Sequence, residues 1–393
     1  MANSIKVVFT PSDNNLTSGA FLSMVRLLVV LKDKYSVDPL VIVPSDGDGI
    51  ELLEKYNIAY KTVRSFPWVI KDSAKINFET LKIILWRIRE NRKAIKELKS
   101  IYRKFRPDLV HINTSWTYVG ALSAYRCKIP VVWHIREYLE EDQHIHILIP
   151  FIGYKIMGHA NAIIPISNDL KVKYSNIFPS KKLHLIYNGV DVNAFYNPNK
   201  RIFNQPVFRF LCVGGLYVGK NQRLLIQALA KIREKGIDNF ALKIVGIGGE
   251  MDNLVKLVNR LQLNDFVFFE GFQKNTRQYY DEADIVFMVS DREAFGRVTV
   301  EAMLNGALII GSDSGGTPEI LQQGKCGILY TPGDIEDLAN KIVFATNNIE
   351  YSRAMAKMGQ KIALKCFSDE INAERVYELY KEVLNRDERN KSS

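Results

Sequence analysis

Cysteine is scarce in this chain: four in 393 residues, Cys127, Cys212, Cys326 and Cys366, far apart and without a Cys-x-x-Cys pair. That excludes a disulfide framework and thiolate zinc spacing, and it points to a reducing compartment. No apolar run reaches the ~20 residues that a membrane-spanning helix needs. Low-complexity tracts and short repeats are missing, which excludes disordered tails and solenoids as the main architecture. A metal-type Asp-x-Asp beside a strand end is missing too: "DGD" at 46–48 has a glycine between the acids and reads as a turn. The opening "MANSIKVVFT" reads as a strand and not as a signal peptide, so a cytoplasmic location is expected.

What is present is a globular composition, 47% hydrophobic and 24% charged, at a length that suits about two domains. The net charge of +10 is lopsided: residues 1–199 hold 27 Lys+Arg against 18 Asp+Glu, whereas the remainder holds 26 against 25. The excess peaks in 78–106, "FETLKIILWRIRENRKAIKELKSIYRKFR", with ten basic and three acidic residues. Leu81, Ile84, Leu85, Ile88, Ile95, Leu98, Ile101, Tyr102 and Phe105 recur there at helical spacing. The first expectation is a helix with that stripe in the core and a solvated basic face. A second reading lays the basic face on an anionic membrane surface, at about 1 kcal/mol per basic residue near the lipid. Nucleic acid is set aside as a partner, because no recognition motif accompanies the charge.

Short apolar runs alternate with helical patterns along the whole chain. They are "IKVVF" (5–9), "PLVIVP" (39–44), "DLVHIN" (108–113), "PVVWHI" (130–135) and "AIIPIS" (162–167), then "FRFLCVGG" (208–215), "ALKIVGIGG" (241–249), "FVFFEGF" (266–272), "DIVFMVS" (284–290), "ALIIGSD" (307–313) and "GILY" (327–330). The alternation predicts an α/β protein of two doubly wound, Rossmann-like domains, each with a parallel sheet covered on both faces. The expected domains are 1–195 and 205–369, with 193–206 as linker and a helix over about 370–393 packing back on the first domain. Ligands of such sheets sit beyond the carboxyl ends of the strands. Glycine-rich turns fall there, at Gly19, Gly214–Gly215, Gly246–Gly249 and Gly315–Gly316. Each alone is an ordinary turn; together they suit a phosphate-bearing ligand.

Residues 290–303, "SDREAFGRVTVEAM", place Glu293 on a loop after a buried strand and Glu301 in the first turns of the next helix. The eight-residue spacing carries nothing by itself. A helix-start charge and a surface residue are the plain alternatives. The Phe295–Gly296 turn leaves backbone N–H groups near a helix start, which suits an anion, and Lys220 stands at another helix start.

Here the pattern resembles glycosyltransferase family 4, retaining nucleotide-sugar transferases of the GT-B fold. The resemblance rests on "TSGAF", "PDLVHIN", "VVWHIREY", "PISNDLK", "IYNGVDVNAF", "VGGLYVGKNQ", "IVGIGGE", "FEGF", "REAFGRVTVEAM" and "GSDSGGTPEIL", ordered along nearly the whole chain. "WHIREYLEED" is similar to a subset that builds bacterial surface polysaccharides. The resemblance implies two domains facing across a cleft and a nucleoside diphosphate sugar held there as donor, a UDP-sugar ahead of a GDP-sugar. It implies a saccharide or polyprenyl-linked acceptor, work at the inner face of the plasma membrane, and neither cofactor nor metal. Glu293, Lys220 and His134 become the expected catalytic residues. Gly19, Gly214, Gly215, Gly246, Phe272, Phe295, Gly296, Arg297 and Glu301 join Lys220 and Glu293 around the donor. Glu301 would accept from both ribose hydroxyls, and Glu293 from hydroxyls of the sugar.

The chain departs from the family at Gly215, where an arginine usually pairs with the later lysine on the diphosphate; its absence removes a bidentate phosphate contact. His111 is expected as a core residue or a support for the site. His144 and His146 with Asp142 lack a further partner at metal spacing and read as surface. A sugar-nucleotide epimerase or hydrolase, and a nucleotide-sugar-binding protein without turnover, are the alternatives to transfer.

Overall fold

The computed structural model describes residues 4–74, 77–141 and 143–392. The chain divides into two compact units: one runs to Gly189 and resumes at Asp369, the other is Val190–Ser368. The first contains strands β1 (Ile5–Thr10), β2 (Val37–Val43), β3 (Ala59–Thr62), β4 (Val69–Lys71), β5 (Leu109–Ile112), β6 (Val131–Ile135), β7 (Ile145–Ile147) and β8 (Ala162–Pro165). Six of them form a parallel sheet in the order β3-β2-β1-β5-β6-β8, while β4 and β7 make a separate antiparallel pair. The second unit contains β9 (Phe208–Val213), β10 (Phe240–Val245), β11 (Val267–Gly271), β12 (Ile285–Met288), β13 (Leu308–Ser312) and β14 (Ile328–Tyr330), ordered β11-β10-β9-β12-β13-β14. Each order reverses once, between β1 and β5 and between β9 and β12. This is the doubly wound pattern, whose ligands lie outside the reversal point.

The strands are apolar on both faces because helices cover both. Val7, Val8 and Phe9 of β1 and Leu109 and Val110 of β5 are fully buried, as parallel sheets require. Helix starts carry side-chain caps: the Ser18 hydroxyl accepts from the Phe21 N–H before Gly19–Tyr35, and the Asn77 side chain accepts from the Thr80 N–H before Phe78–Phe105. The helix Asp369–Ser392 sends Ala373, Val376, Leu379, Tyr380 and Val383 into the core around β1.

Two expectations need correction. The segment 193–206 is no linker. The unit boundary falls at Gly189, and Phe195, Ile202 and Phe203 are buried in the second unit. Its backbone is also tied down: Arg353 donates to the carbonyls of Ile202 (3.1 Å) and Phe203 (3.0 Å), and Lys200 donates to that of Tyr280 (2.7 Å). Three bulky apolar side chains without periodicity were enough to anchor an irregular stretch. The second correction concerns Phe78–Phe105. Its later turns bury Ile95, Leu98, Ile101 and Tyr102, but no residue of 78–90 is buried, and Leu81 and Leu85 are exposed. The apolar stripe is continuous in the sequence, whereas the core beneath it ends halfway.

Asp284 joins this segment to the sheet. It is fully buried, and its carboxylate accepts from the N–H groups of Phe203 (2.7 Å) and Arg209 (2.8 Å). Asp284→Ala strands both donors; at about 1–3 kcal/mol for each, a loss of about 2–6 kcal/mol is expected in urea unfolding of the second unit. A change below about 0.5 kcal/mol would show that these contacts do not hold the segment.

Candidate functional site

In the second unit the candidate residues gather at the carboxyl ends of β9, β12 and β13. The reversal point is physically open: β9 and β12 pair only at Phe210–Ile285 and Leu211–Val286, although β9 continues to Val213 and β12 to Met288. The loops that leave this opening are stitched together. Asp291 N–H donates to the Gly219 carbonyl (2.9 Å), Asn221 donates to the Asp291 carboxylate (2.8 Å), and the Ser314 hydroxyl donates to the Asp291 carbonyl (2.7 Å). Gly316 N–H donates to the Glu293 carbonyl (2.7 Å). A Cβ on Gly315, whose φ is +58°, would meet that same carbonyl oxygen at 2.4 Å, so only glycine lets the two loops touch.

Lys220 and Glu293 meet directly, Nζ to Oε2 at 2.7 Å, with both side chains about a quarter exposed. Glu301 is buried. Its Oε2 accepts from the Tyr280 hydroxyl (2.9 Å) and its Oε1 from the Arg297 guanidinium (3.2 Å). Burial, with the Glu301 charge next, pushes the Tyr280 phenol far above its ordinary value, so it stays a donor. A carboxylate offers about four acceptor positions, so two engaged oxygens retain capacity for a diol. The helix Arg297–Asn305 starts at Gly296 in a left-handed conformation (φ +77°) with no side-chain cap. Phe295 does not point outward; its ring is buried and packs edge-on against Phe367 at 5.7 Å. Thr299 Oγ1, one turn on, is buried without a partner among the described residues.

The neighbouring loops are shaped by glycine contacts. Gly246, at φ +147°, brings its Cα so close to Gly214 that a Cβ would lie 1.9 Å from the Gly214 oxygen. At Gly215 a Cβ would meet the Tyr217 ring at 2.5 Å, so the place of the family arginine is taken by an aromatic ring that is itself exposed. Phe272, Ile247 and Tyr217 expose apolar surface at the ends of β11, β10 and β9.

Gly19 and His134 belong to the first unit. A Cβ at Gly19 would meet nothing within 4 Å, so the helix start there faces open space. His134 closes β6, fully buried, inside a polar chain. Tyr380 Oη is 2.7 Å from His111 Nδ1, and His111 Nε2 is 3.2 Å from His134 Nδ1, which Arg136 Nη2 also approaches at 3.2 Å. A guanidinium can only donate, so His134 Nδ1 accepts, and the neutral ring carries its proton on Nε2. His111 then donates from Nε2 and receives the Tyr380 hydroxyl proton bond at Nδ1. The chain ends at His134 Nε2, buried and without a partner among the described residues. Arg136 is held by Asn113 (2.9 Å) and Asn188. Sequence reasoning named His134 and His111 but missed Arg136, Asn188, Tyr280 and Tyr380.

His146 pairs with Asp72 at 2.8 Å beside the antiparallel β4–β7 pair, both side chains partly exposed; Asp142 lies outside the described residues, and no metal-type cluster of His, Cys, Asp or Glu occurs among those described.

Family models match both parts of the chain: "Glycosyltransferase Family 4" over residues 37–194 and "Glycosyl transferases group 1" over 197–362. Among curated relatives, the chain is 28% identical over 221 residues to an N-acetyl-alpha-D-glucosaminyl L-malate synthase of Bacillus anthracis, covering 54% of this chain and 56% of that protein. It is 30% identical over 257 residues to an uncharacterised glycosyltransferase of Methanocaldococcus jannaschii, covering 59% and 64%. The matches thus span less than two thirds of either relative. Among solved structures, HepE of Anabaena in complex with UDP superimposes with a TM-score of 0.78 at 23% identity over 96% of this chain and all of that one. A Rickettsia africae glycosyltransferase gives 0.79 at 19%, over 97% and 99%.

Burial, and next the nearby Arg136 charge, hold His111 and His134 well below the ordinary value of 6.5, while burial pushes Glu137 up to about 7 against N–H donors from Ser115 and Arg136. In the unfolded chain the histidines take protons below about pH 6.5 that the fold refuses, so their effect is to lower stability as pH falls through that value. Glu137 works oppositely: its contribution is complete below 4.5 and lost as pH rises through about 7. Two groups outweigh one, so the urea midpoint of the first unit is expected to fall between pH 7 and 5, and to fall more steeply in Glu137→Gln. A flat profile in Glu137→Gln, or a rising one in the wild type as pH falls, would mean that the histidines take protons in the fold.

Proposed function

The chain belongs to the group 1 and family 4 glycosyltransferases of the GT-B fold class, and from that premise we propose that it is a retaining hexosyltransferase. It moves a sugar from a nucleoside diphosphate donor to a saccharide or polyprenyl-linked acceptor in cell-surface polysaccharide synthesis. The observation that carries this reading is the Lys220–Glu293 pair beside the uncapped start of Arg297–Asn305, at the open reversal point of the second sheet. A cation and a helix N-terminus suit a diphosphate, and a carboxylate suits hydroxyls.

In this reading Lys220 and the helix start take the diphosphate. Charge builds on that leaving group, so donors already fixed there lower the barrier. They supply the positive field that a metal supplies elsewhere. Glu301, steadied by Tyr280 and Arg297, accepts from the ribose. The exposed Phe272 and Ile247 offer apolar surface to the base. Glu293 turns from Lys220 to the sugar. The anomeric C–O bond to phosphate breaks, the acceptor oxygen attacks on the face being vacated, and its proton passes to the departing phosphate oxygen. The resemblance also assigns a role to Gly19 and His134 of the first unit; the Nε2–H of His134 is a donor suited to a hydroxyl oxygen. UDP is preferred as the nucleotide because HepE, of the same fold, binds UDP and UDP-glucose. No helix among the described residues is long and apolar enough to cross a membrane, and attachment to the inner leaflet is assigned to the basic stretch 78–106.

A thermal-shift screen of UDP- and GDP-sugars, followed by product analysis with lipid-linked saccharides, tests the reading, since a bound donor raises stability by mass action. Glu301→Ala is expected to weaken free nucleoside diphosphate by about 1–3 kcal/mol. Glu293→Gln releases Lys220 from its partner, so it leaves nucleotide affinity unchanged or tighter while turnover falls. Lys220→Ala is expected to lower kcat ~10²-fold or more. Equal loss of nucleotide affinity in the Glu293 and Glu301 variants, or full turnover without Lys220, would show the diphosphate and ribose to be placed wrongly.

A further inference from the structure

The first turns of Phe78–Phe105 present a surface that the fold leaves without cover. Ile83, Leu85 and Trp86 are 50%, 58% and 43% exposed. A cluster of exposed large apolar groups is informative in a way that a single one is not. Behind them lies a cavity of about 330 Å³, lined by Trp68, Ile70, Ile84, Ile88 and Leu148 together with Lys71 and Arg87. Leu148 leads straight into Ile149, Phe151 and Ile152, also exposed, with Phe151 at 79%. Neither Lys71 nor Arg87 makes an ion pair among the described residues. The helix as a whole is strongly basic. An apolar crest flanked by cations, over an apolar cavity with two cations in its wall, matches a hydrocarbon chain with an anionic phosphate head.

We propose that this face docks on an anionic phospholipid bilayer: the crest enters the interface, one lipid chain enters the cavity, and Lys71 and Arg87 meet its phosphate. The proposal deepens the membrane reading of the basic stretch by adding an apolar component, and it stands whether or not the chain transfers a sugar.

Sedimentation with vesicles of phosphatidylcholine, with and without phosphatidylglycerol, separates the two components. Wild-type protein is expected to bind the anionic vesicles, with a fraction that persists at 1 M salt, where the Debye length is about 3 Å. Leu81→Glu/Leu85→Glu is expected to lower partitioning at least about tenfold at both salt concentrations, since burial of two leucine side chains is forfeited. Both positions are exposed, and the thermal midpoint checks that the variant folds; Leu81→Ala/Leu85→Ala provides a milder second test of the same loss. Lys71→Ala/Arg87→Ala is expected to lower the salt-sensitive part and to spare the fraction that persists at 1 M salt. Brominated-chain phosphatidylglycerol is expected to quench a component of the fluorescence in Trp86→Phe protein that is missing in Trp86→Phe/Trp68→Phe, which assigns it to Trp68 in the cavity wall. The proposal fails if wild type binds no anionic vesicle at low salt. It fails if salt removes all binding and the leucine variants match wild type, which leaves a purely electrostatic helix. It fails also if a polyprenyl phosphate in neutral vesicles is bound while phosphatidylglycerol is not.

Discussion

The second unit depends on one constraint: a parallel sheet buried on both faces has only its strand ends left for function. Between β9 and β12 the ladder stops after two residue pairs, and the strands part toward their carboxyl ends. Backbone then has to turn away inside a small space. Gly246 against Gly214, and Gly315 against Glu293, are contacts that any side chain would break. These glycines are therefore packing elements of the loops as much as contributors to a ligand. Their effect is to hold the backbone of the Glu293 loop against Gly315–Gly316, and that of Gly246 against Gly214, in a fixed relation.

Without a ligand the charged groups satisfy one another. Lys220 rests on Glu293, and Arg297 rests on Glu301. The first pair is partly open to solvent, so its mutual attraction is modest. The second is more enclosed and has Tyr280 beneath it. That difference favours Glu301 as a fixed support and Glu293 as a group that changes partner. Tyr217 adds a local reason for the missing arginine at position 215: its ring occupies the space where that side chain would begin.

Much of the fold was legible because the strands read as continuous apolar runs: all six of the second sheet and five of the first follow from them, while β3, an exposed edge strand, left no such run. The β4–β7 pair was not, since three-residue strands leave no pattern. The linker was misread because Phe195, Ile202 and Phe203 bury themselves without periodicity. Along Phe78–Phe105 the period was right and the burial was wrong, because an apolar stripe tells which face is apolar but not whether anything covers it. Glu293, Glu301 and Lys220 were found through the order of short motifs, and Lys220 and Glu293 do meet. Tyr280 and Tyr380 were invisible: they reach Glu301 and His111 from 21 and 269 residues away, and no local spacing records such contacts.

The last of these contacts explains the path of the chain. The first unit is closed by a helix that follows the whole second unit, and that helix delivers Tyr380 to His111. A helix needed only for packing would bring apolar residues there, as it does with Val376 and Val383. Instead it buries a hydroxyl whose proton fixes His111, which together with Arg136 fixes the tautomer of His134. Burying a histidine pair beside a guanidinium costs stability. The cost is offset along the chain, where each polar atom meets the next, up to His134 Nε2. Among the described residues, the network is left unsatisfied at its last donor, His134 Nε2. The unsatisfied donor sits at the carboxyl end of β6, on the edge of the sheet where the fold places ligands.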